Sequence, residues 1–210
     1  MLENTTINAH SSIRIGADRV IYFDPFKIED SPCDADIIFI THDHYDHFSP
    51  EDLQKVMKEG TKLVYPATAG KSVAKLGLTK SQLYPVKPDE SLTVDGIPVE
   101  TVPAYNNEKP FHPKRNQWVG YILTLDDDRI YVAGDTDLNR DVKQVDCDIA
   151  FVPVGGTYTM NTREAAKRVN FLRPKIAVPT HYGSIVGEPE DGEDFASRLD
   201  SGIEAKLLIK

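Results

Sequence analysis

Cysteine is scarce. The 210 residues contain two, Cys33 and Cys147, far apart and in no CxxC pattern. A disulfide framework is therefore not expected, and the default reading is a reduced, cytoplasmic protein. Long apolar runs are missing too: each is only a few residues, too short to span a bilayer, so no membrane insertion is expected. The N-terminus, "MLENTTINAH", has neither the basic start nor the apolar stretch of a secretory signal. Positive charge is in deficit, 24 Lys and Arg against 33 Asp and Glu, for a net charge of −9. A broad nucleic-acid surface must be cationic to displace counterions, so that class of partner is not expected. The one small cationic cluster, "KPFHPKR" at 109–115, reads on its own as a solvated loop. There is no low-complexity segment and no repeat at a solenoid period.

What is present is an ordinary globular balance, 40% apolar and 27% charged, in a chain long enough to bury a core without staples. A single domain over residues 1–210 is expected. Short apolar strands alternate with polar loops. "SIRIGADRVIYFDPF" reads as two strands joined by a turn at 16–18, and "ADIIFI" as a buried strand. "SPEDLQKVMKEG" reads as a helix capped by Ser49, with Pro50 first and a closing glycine. "TKLVYP" gives another strand and "ATAGKSVAKLG" a helix ending at Gly77. Strands follow at 83–86, 91–94 and 98–102, the last two joined by Asp95-Gly96. A hairpin turns at 126–128, "CDIAFVPV" is a strand, and "NTREAAKRVNFLRP" a helix capped by Thr162. "KIAVPTHYG" is a strand and loop, and the tail adds one helix and one strand. Together these predict a mixed α/β layered fold.

The chemistry is concentrated after three apolar strands. "THDHYDHFSP" places His42, His44, Asp46 and His47 after the first. "GDTD" places Asp135 after the second, and "THYG" places His181 after the third. Sites in layered α/β proteins gather beyond the carboxyl ends of strands, where a rigid element meets an exposed loop. Imidazole and carboxylate suit zinc first, with manganese or iron as alternatives. One short motif cannot complete two ions. His42 and His44 can converge on one, while Asp46 and His47 turn to another. Asp135 is the natural bridge, and His181 would close the second.

In this order, HxHxDH, GDTD and THYG resemble the metallo-β-lactamase-fold superfamily of metallohydrolases. "AHSSIRI" and "FDPF" are similar to the "GHAS…DP" opening of the branch that holds ascorbate-phosphate lactonase-like proteins and the phospholipase D acting on N-acyl phosphatidylethanolamine. The resemblance covers nearly the whole chain. It implies a four-layer αββα sandwich with two divalent metal ions at one edge of the paired sheets. It also implies Asp46 and Asp135 as the candidate catalytic carboxylates. One departure matters. The branch carries another histidine in a segment like "PAxH", and here "PAYNNEKPFHP" has Asn106 at that place. The third donor of the first ion is then His112, six residues on, or else two histidines and Asp135 hold that ion more weakly; Asn106 reads as the alternative donor or as a substrate contact. His10 and Asp24 read either as groups that orient a ligand imidazole or as strand-end hydrogen-bonding residues.

The resemblance implies a hydrolase that attacks a small lactone, ester, thioester or phosphodiester with a hydroxide shared by two ions, a lactone first. The chain has no room for the inserted domain of RNA-processing members, so a small-molecule substrate, phosphorylated or acyl, is expected. Self-association into a homo-oligomer stays open. A di-iron redox protein on the same fold is the competing reading. Those relatives have Glu at the position of His44 and an attached flavin domain, and neither is here. A metal-binding module without catalysis is the third.

Overall fold

The computed structural model describes residues 2–16, 18–139 and 145–209. The turn expected at 16–18 includes Ala17, which lies outside them. The chain divides into two compact units, residues 1–86 together with Ile209, and residues 87–208.

The first unit is a six-stranded sheet in sequence order: β1 (Thr5–Ile7), β2 (Ile13–Gly16), β3 (Val20–Phe23), β4 (Ala35–Phe39), β5 (Met57–Pro66) and β6 (Leu83–Val86). β1, β2 and β3 pair antiparallel, and β3 through β6 pair parallel. Helix α1 (Pro50–Val56) begins as expected. Ser49 caps it by accepting from the Asp52 N–H, and Pro50 sits where no N–H is needed. It ends sooner than expected, because Met57 turns extended and enters β5. Leu53 and Val56 on its inner face pack with Tyr22, Ile38, Leu63 and Tyr65 into an apolar core. The helix expected at 67–77 is broken. Only α2 (Gly70–Val73) is α-helical, with 3-10 turns at Ala67–Ala69 and Ala74–Leu76. Gly77 ends it in the left-handed conformation, φ 70°.

The second unit is a seven-stranded sheet of β7 (Ser91–Val94), β8 (Ile97–Pro103), β9 (Val119–Leu125), β10 (Asp128–Val132), β11 (Ile149–Pro153), β12 (Ile176–Thr180) and β13 (Glu204–Ala205), again in sequence order. β7 through β10 are antiparallel and β10 through β13 parallel. Both hairpin turns put two residues at positive φ, Asp95 with Gly96 and Asp126 with Asp127, as tight turns that match strand twist require. β11 is buried along its whole length, the pattern of an interior parallel strand. Helix α3 (Thr162–Leu172) packs on β11, and α4 (Asp191–Ser197) on β12. The α3 cap is Asn161 rather than the expected Thr162. Its side chain accepts from the Glu164 N–H while Glu164 reaches back to the Asn161 N–H.

The two sheets repeat one connectivity, hairpins first and parallel strands after. "DRVIYFD" at 18–24 and "DRIYVAGD" at 128–135 occupy the same place in it. In each unit the strand that opens the parallel half, β3 or β10, leads into an aspartate, Asp24 or Asp135. Among the described residues no helix is long and apolar enough to cross a membrane.

Candidate metal centre

In the first unit one register row crosses the whole sheet: Ile7, Ile13, Phe23, Phe39, Val64 and Tyr84. The segments just beyond that row share one edge. They are the β1–β2 turn with His10, the residue after β3, Asp24, and the loop after β4 with residues 41–47. The sheet therefore gathers side chains that are distant in sequence.

Asp24 organises this edge. It sits at φ 44°, unusual for a residue with a side chain, and its carboxylate is buried. Oδ1 accepts from the Thr41 N–H at 2.8 Å. Oδ2 accepts from the Thr41 hydroxyl at 2.6 Å and faces His47 Nδ1 at 2.7 Å. Burial pushes the Asp24 carboxyl upward, and His47 and Thr41 pull it back down. The Nδ1 hydrogen of His47 belongs on Asp24, which leaves the lone pair on Nε2. The Thr41 hydroxyl gives its hydrogen to Asp24, so it accepts from His42 Nδ1 at 3.0 Å. His42 Nε2 then carries the ring's acceptor lone pair, 3.1 Å from His44 Nδ1. Asp46 Oδ2 lies 3.3 Å from His10 Nε2 and 3.7 Å from His47 Nε2. Asp43, the other aspartate of the motif, instead accepts from Ser72 Oγ.

The second unit has a comparable edge. Thr101, Tyr121, Val132, Phe151 and Val178 form its register row. Beyond it stand the 104–118 loop, Asp135 after β10, and His181 after β12. Asp135 Oδ2 lies 3.2 Å from His112 Nε2 and 3.0 Å from His181 Nε2. One carboxylate oxygen thus faces two buried imidazoles. Asn106 sets the first of them. Its Oδ1 accepts from the His112 backbone N–H at 3.0 Å and lies 2.9 Å from His112 Nδ1, and its Nδ2 donates to the Tyr158 carbonyl at 2.8 Å. The rest of "GDTD" holds the loop in place. Asp137 accepts from the Asn107 N–H at 3.0 Å and from Lys109 Nζ at 2.8 Å. Lys109, expected to be solvated, is therefore committed.

His181 adopts φ 60°. The chain passes so close there that a Cβ on Gly155 would lie 2.1 Å from the His181 carbonyl oxygen. Tyr182 packs against Gly192 of α4, Tyr158 against Phe111, and Trp118 against the His112 ring, while Tyr105 lines a cavity.

The donor spacings test whether a metal fits. Bonds of about 2.0–2.1 Å place tetrahedral ligand atoms roughly 3.3 Å apart. The facing pairs above span 3.0–3.7 Å. Neutral imidazoles and carboxylates, without thiolate, are the donors of zinc, manganese and iron sites. The His and Asp clusters can hold metal. Of the two readings left open for Asp24, its contact with the His47 imidazole matches the orienting role. Sequence reasoning missed that His10 turns its Nε2 to Asp46, and that Gly155 is required by the bend at His181. The positive φ of His10, Asp24 and His181 carries no sequence signature, because none of them is glycine.

Residues 6–181 match the β-lactamase superfamily domain. The chain belongs to the metallo-β-lactamase superfamily. It is 33% identical over 177 residues to a UPF0173 metal-dependent hydrolase of Pyrobaculum arsenaticum, covering 82% of this chain and 76% of that protein. A crystal structure from Parabacteroides distasonis, solved as a candidate metal-dependent hydrolase, is 34% identical and superposes with a TM-score of 0.79 over 97% of this chain and 91% of the other. The fold is also that of CmlA, a diiron β-hydroxylase from Streptomyces venezuelae, at 14% identity and a TM-score of 0.76 over 97% of this chain and 52% of CmlA. That last likeness is one of fold alone. A fold shared by proteins named for hydrolysis and for hydroxylation leaves function to the site.

Proposed function

We propose that this chain is a metal-dependent hydrolase working with two divalent ions, zinc first. In this reading His42, His44, His112 and Asp135 hold one ion, and Asp46, His47, Asp135 and His181 the other. Residues 1–210 then act as one domain, in keeping with a family match that runs from 6 to 181. The observation that carries the reading is the Asp135 carboxylate, buried, with one oxygen turned to both His112 and His181. A structural aspartate has no need of two imidazole neighbours.

Bound ions would supply a water whose pKa is lowered to about 7 and a Lewis acid for the developing oxyanion. The chain's own part is positioning and proton handling. Asp24 and Asn106 each hold an imidazole by Nδ1, so that Nε2 of His47 and of His112 points forward. Asp135 would offset the positive charge of the ions, and the Asp46 carboxylate would take up a proton given up by water. The substrate class is a small lactone, ester or phosphodiester, a lactone first. A cavity of about 880 Å³ lined by Tyr105, Asn106, Asn107, Glu108, Lys109 and Lys114 supports a small, polar substrate.

The test is a panel of simple lactones, esters and phosphodiesters, run on metal-free protein and after reloading with zinc, manganese or iron. Turnover of one class that returns with metal is expected. Protein that binds two ions and turns over none of the three would leave a metal-binding module. Oxygen consumption by the iron form without hydrolysis would make it a redox protein.

A further inference from the structure

The geometry points to His10 as a fifth protein ligand of the ion assigned above to Asp46 and His47. The inference rests on that assignment of a metal but not on the substrate. His10 is buried, and its Nε2 lies 3.3 Å from Asp46 Oδ2, the separation of two atoms on one ion. The candidate donor atoms of His10, Asp46 and His47 all fall within 4.8 Å of one another. The three come from one edge of one sheet.

The chain holds His10 there at some cost. Its φ is 58°, a conformation that persists only where the surroundings impose it. They do. The Asn8 N–H donates to the Ser12 carbonyl at 2.9 Å, and the Ser12 N–H to the Ala9 carbonyl at 2.8 Å, closing the turn. Asn8 Nδ2 donates to the Phe26 carbonyl, and Ser12 Oγ accepts from the Phe26 N–H, fastening the turn to the segment after Asp24. A surface turn with a spare histidine needs none of this.

Two imidazoles and one carboxylate from a single unit form the facial set that suits metals of coordination number five or six. With Asp135 and His181 added, the ion would have five protein ligands rather than four. It would then accept manganese, iron or cobalt more readily than a tetrahedral zinc site does. The chain has six histidines in all, and this assignment uses every one.

The test uses cobalt(II) alone, on the full chain stripped of metal, without any activity assay. Wild-type protein with two equivalents should give strongly contact-shifted ring N–H signals from six imidazoles. In His10→Ala one signal should vanish and the weaker of two cobalt affinities should fall at least about a hundredfold, beyond the ~10–100-fold typical of a supporting hydrogen bond. The visible absorption per cobalt should rise as five-coordination gives way to four. His10→Gln, closer in shape, should behave the same if His10→Ala folds poorly. Five contact-shifted imidazoles in the wild type, or an unchanged visible spectrum in the variants, would overturn the inference and leave His10 a hydrogen-bonding partner of Asp46.

Discussion

Asn106 Oδ1 stands 2.9 Å from His112 Nδ1 and accepts the His112 backbone N–H at 3.0 Å, so one amide oxygen fixes both the chain and the ring of the next candidate ligand. The return bond, from the Asn106 N–H to the His112 carbonyl at 2.8 Å, closes a small loop between them. Where related chains are expected to have histidine, this one has an amide that presents a histidine from six residues on. Asn106→Ala should therefore act through His112. The ring loses its acceptor and its preferred tautomer, and affinity for one of two ions should fall by ~10–100-fold. Asn106→Asp keeps the acceptor and should recover most of that affinity. Competitive titration against a chelating dye reads both constants. Two unchanged constants in Asn106→Ala would detach Asn106 from metal binding.

Gly155 meets His181 differently, through sterics. A methyl at 155 would lie 2.1 Å from the His181 carbonyl oxygen and 2.7 Å from Val186 Cγ2, and backbone cannot yield as a flexible side chain would. Gly155→Ala should cost about 3 kcal/mol, at the upper end of overpacking, and lower Tm by on the order of 10 °C. Gly70→Ala is the control. Gly70 has helical φ −55° and open space around its Cβ position. It should be neutral, or stabilising by up to ~1 kcal/mol. Equal Tm values for the two variants would refute the contact.

Much of this was legible because its signals are local. Asp95-Gly96 declares its turn through residues that tolerate positive φ, and Ser49-Pro50 declares a helix start. The failures are local signals outvoted by tertiary structure. Residues 57–60 look helical but extend, because Met57 pairs with Ala35 at the start of β5. Asn161 and Thr162 are both competent caps, and Glu164 decides between them by bonding to Asn161. At the site, the residue types in "HDHYDH" announced metal chemistry. What they could not announce was which ring nitrogen faces forward. That depends on Asp24 for His47 and on Asn106 for His112, partners set by sheet register and loop path.

The two thiols should separate cleanly. Cys33 is exposed, while Cys147 is buried and its thiol is pushed up to about 12, first by burial and then by Asp146 and Asp148. A thiol reagent at pH 8 should titrate close to one cysteine in native protein and two in denaturant. The sign for stability follows. Between about 9, the ordinary value, and about 12, the unfolded chain loses a proton that the folded chain keeps, so stability falls as pH rises through that window. Cys147→Ala should remove that part of the alkaline loss, measured by denaturant titration at pH 8 and 10. Rapid modification of both thiols in the native state would show Cys147 to be accessible.

Asp135 offers the sharpest division between charge and shape. Asp135→Asn keeps the side chain's size, and its amide oxygen can still face one imidazole. It cannot supply negative charge to both His112 and His181, which now stand 3.2 and 3.0 Å from the same oxygen. If that oxygen is shared by two ions, the substitution should weaken both binding events together, and chelation should no longer lower Tm. If it serves one ion, a single event should weaken and the Tm shift on chelation should persist in part. Without metal the variant should be no less stable than the wild type. It removes a buried carboxylate, whose charge is costly to keep away from water. Elemental analysis, calorimetric titration and melting with and without chelator read the three arms. An apo form that melts well below the wild-type apo form would mean that Asp135 holds the fold directly, through its imidazole neighbours, and not through a bound ion.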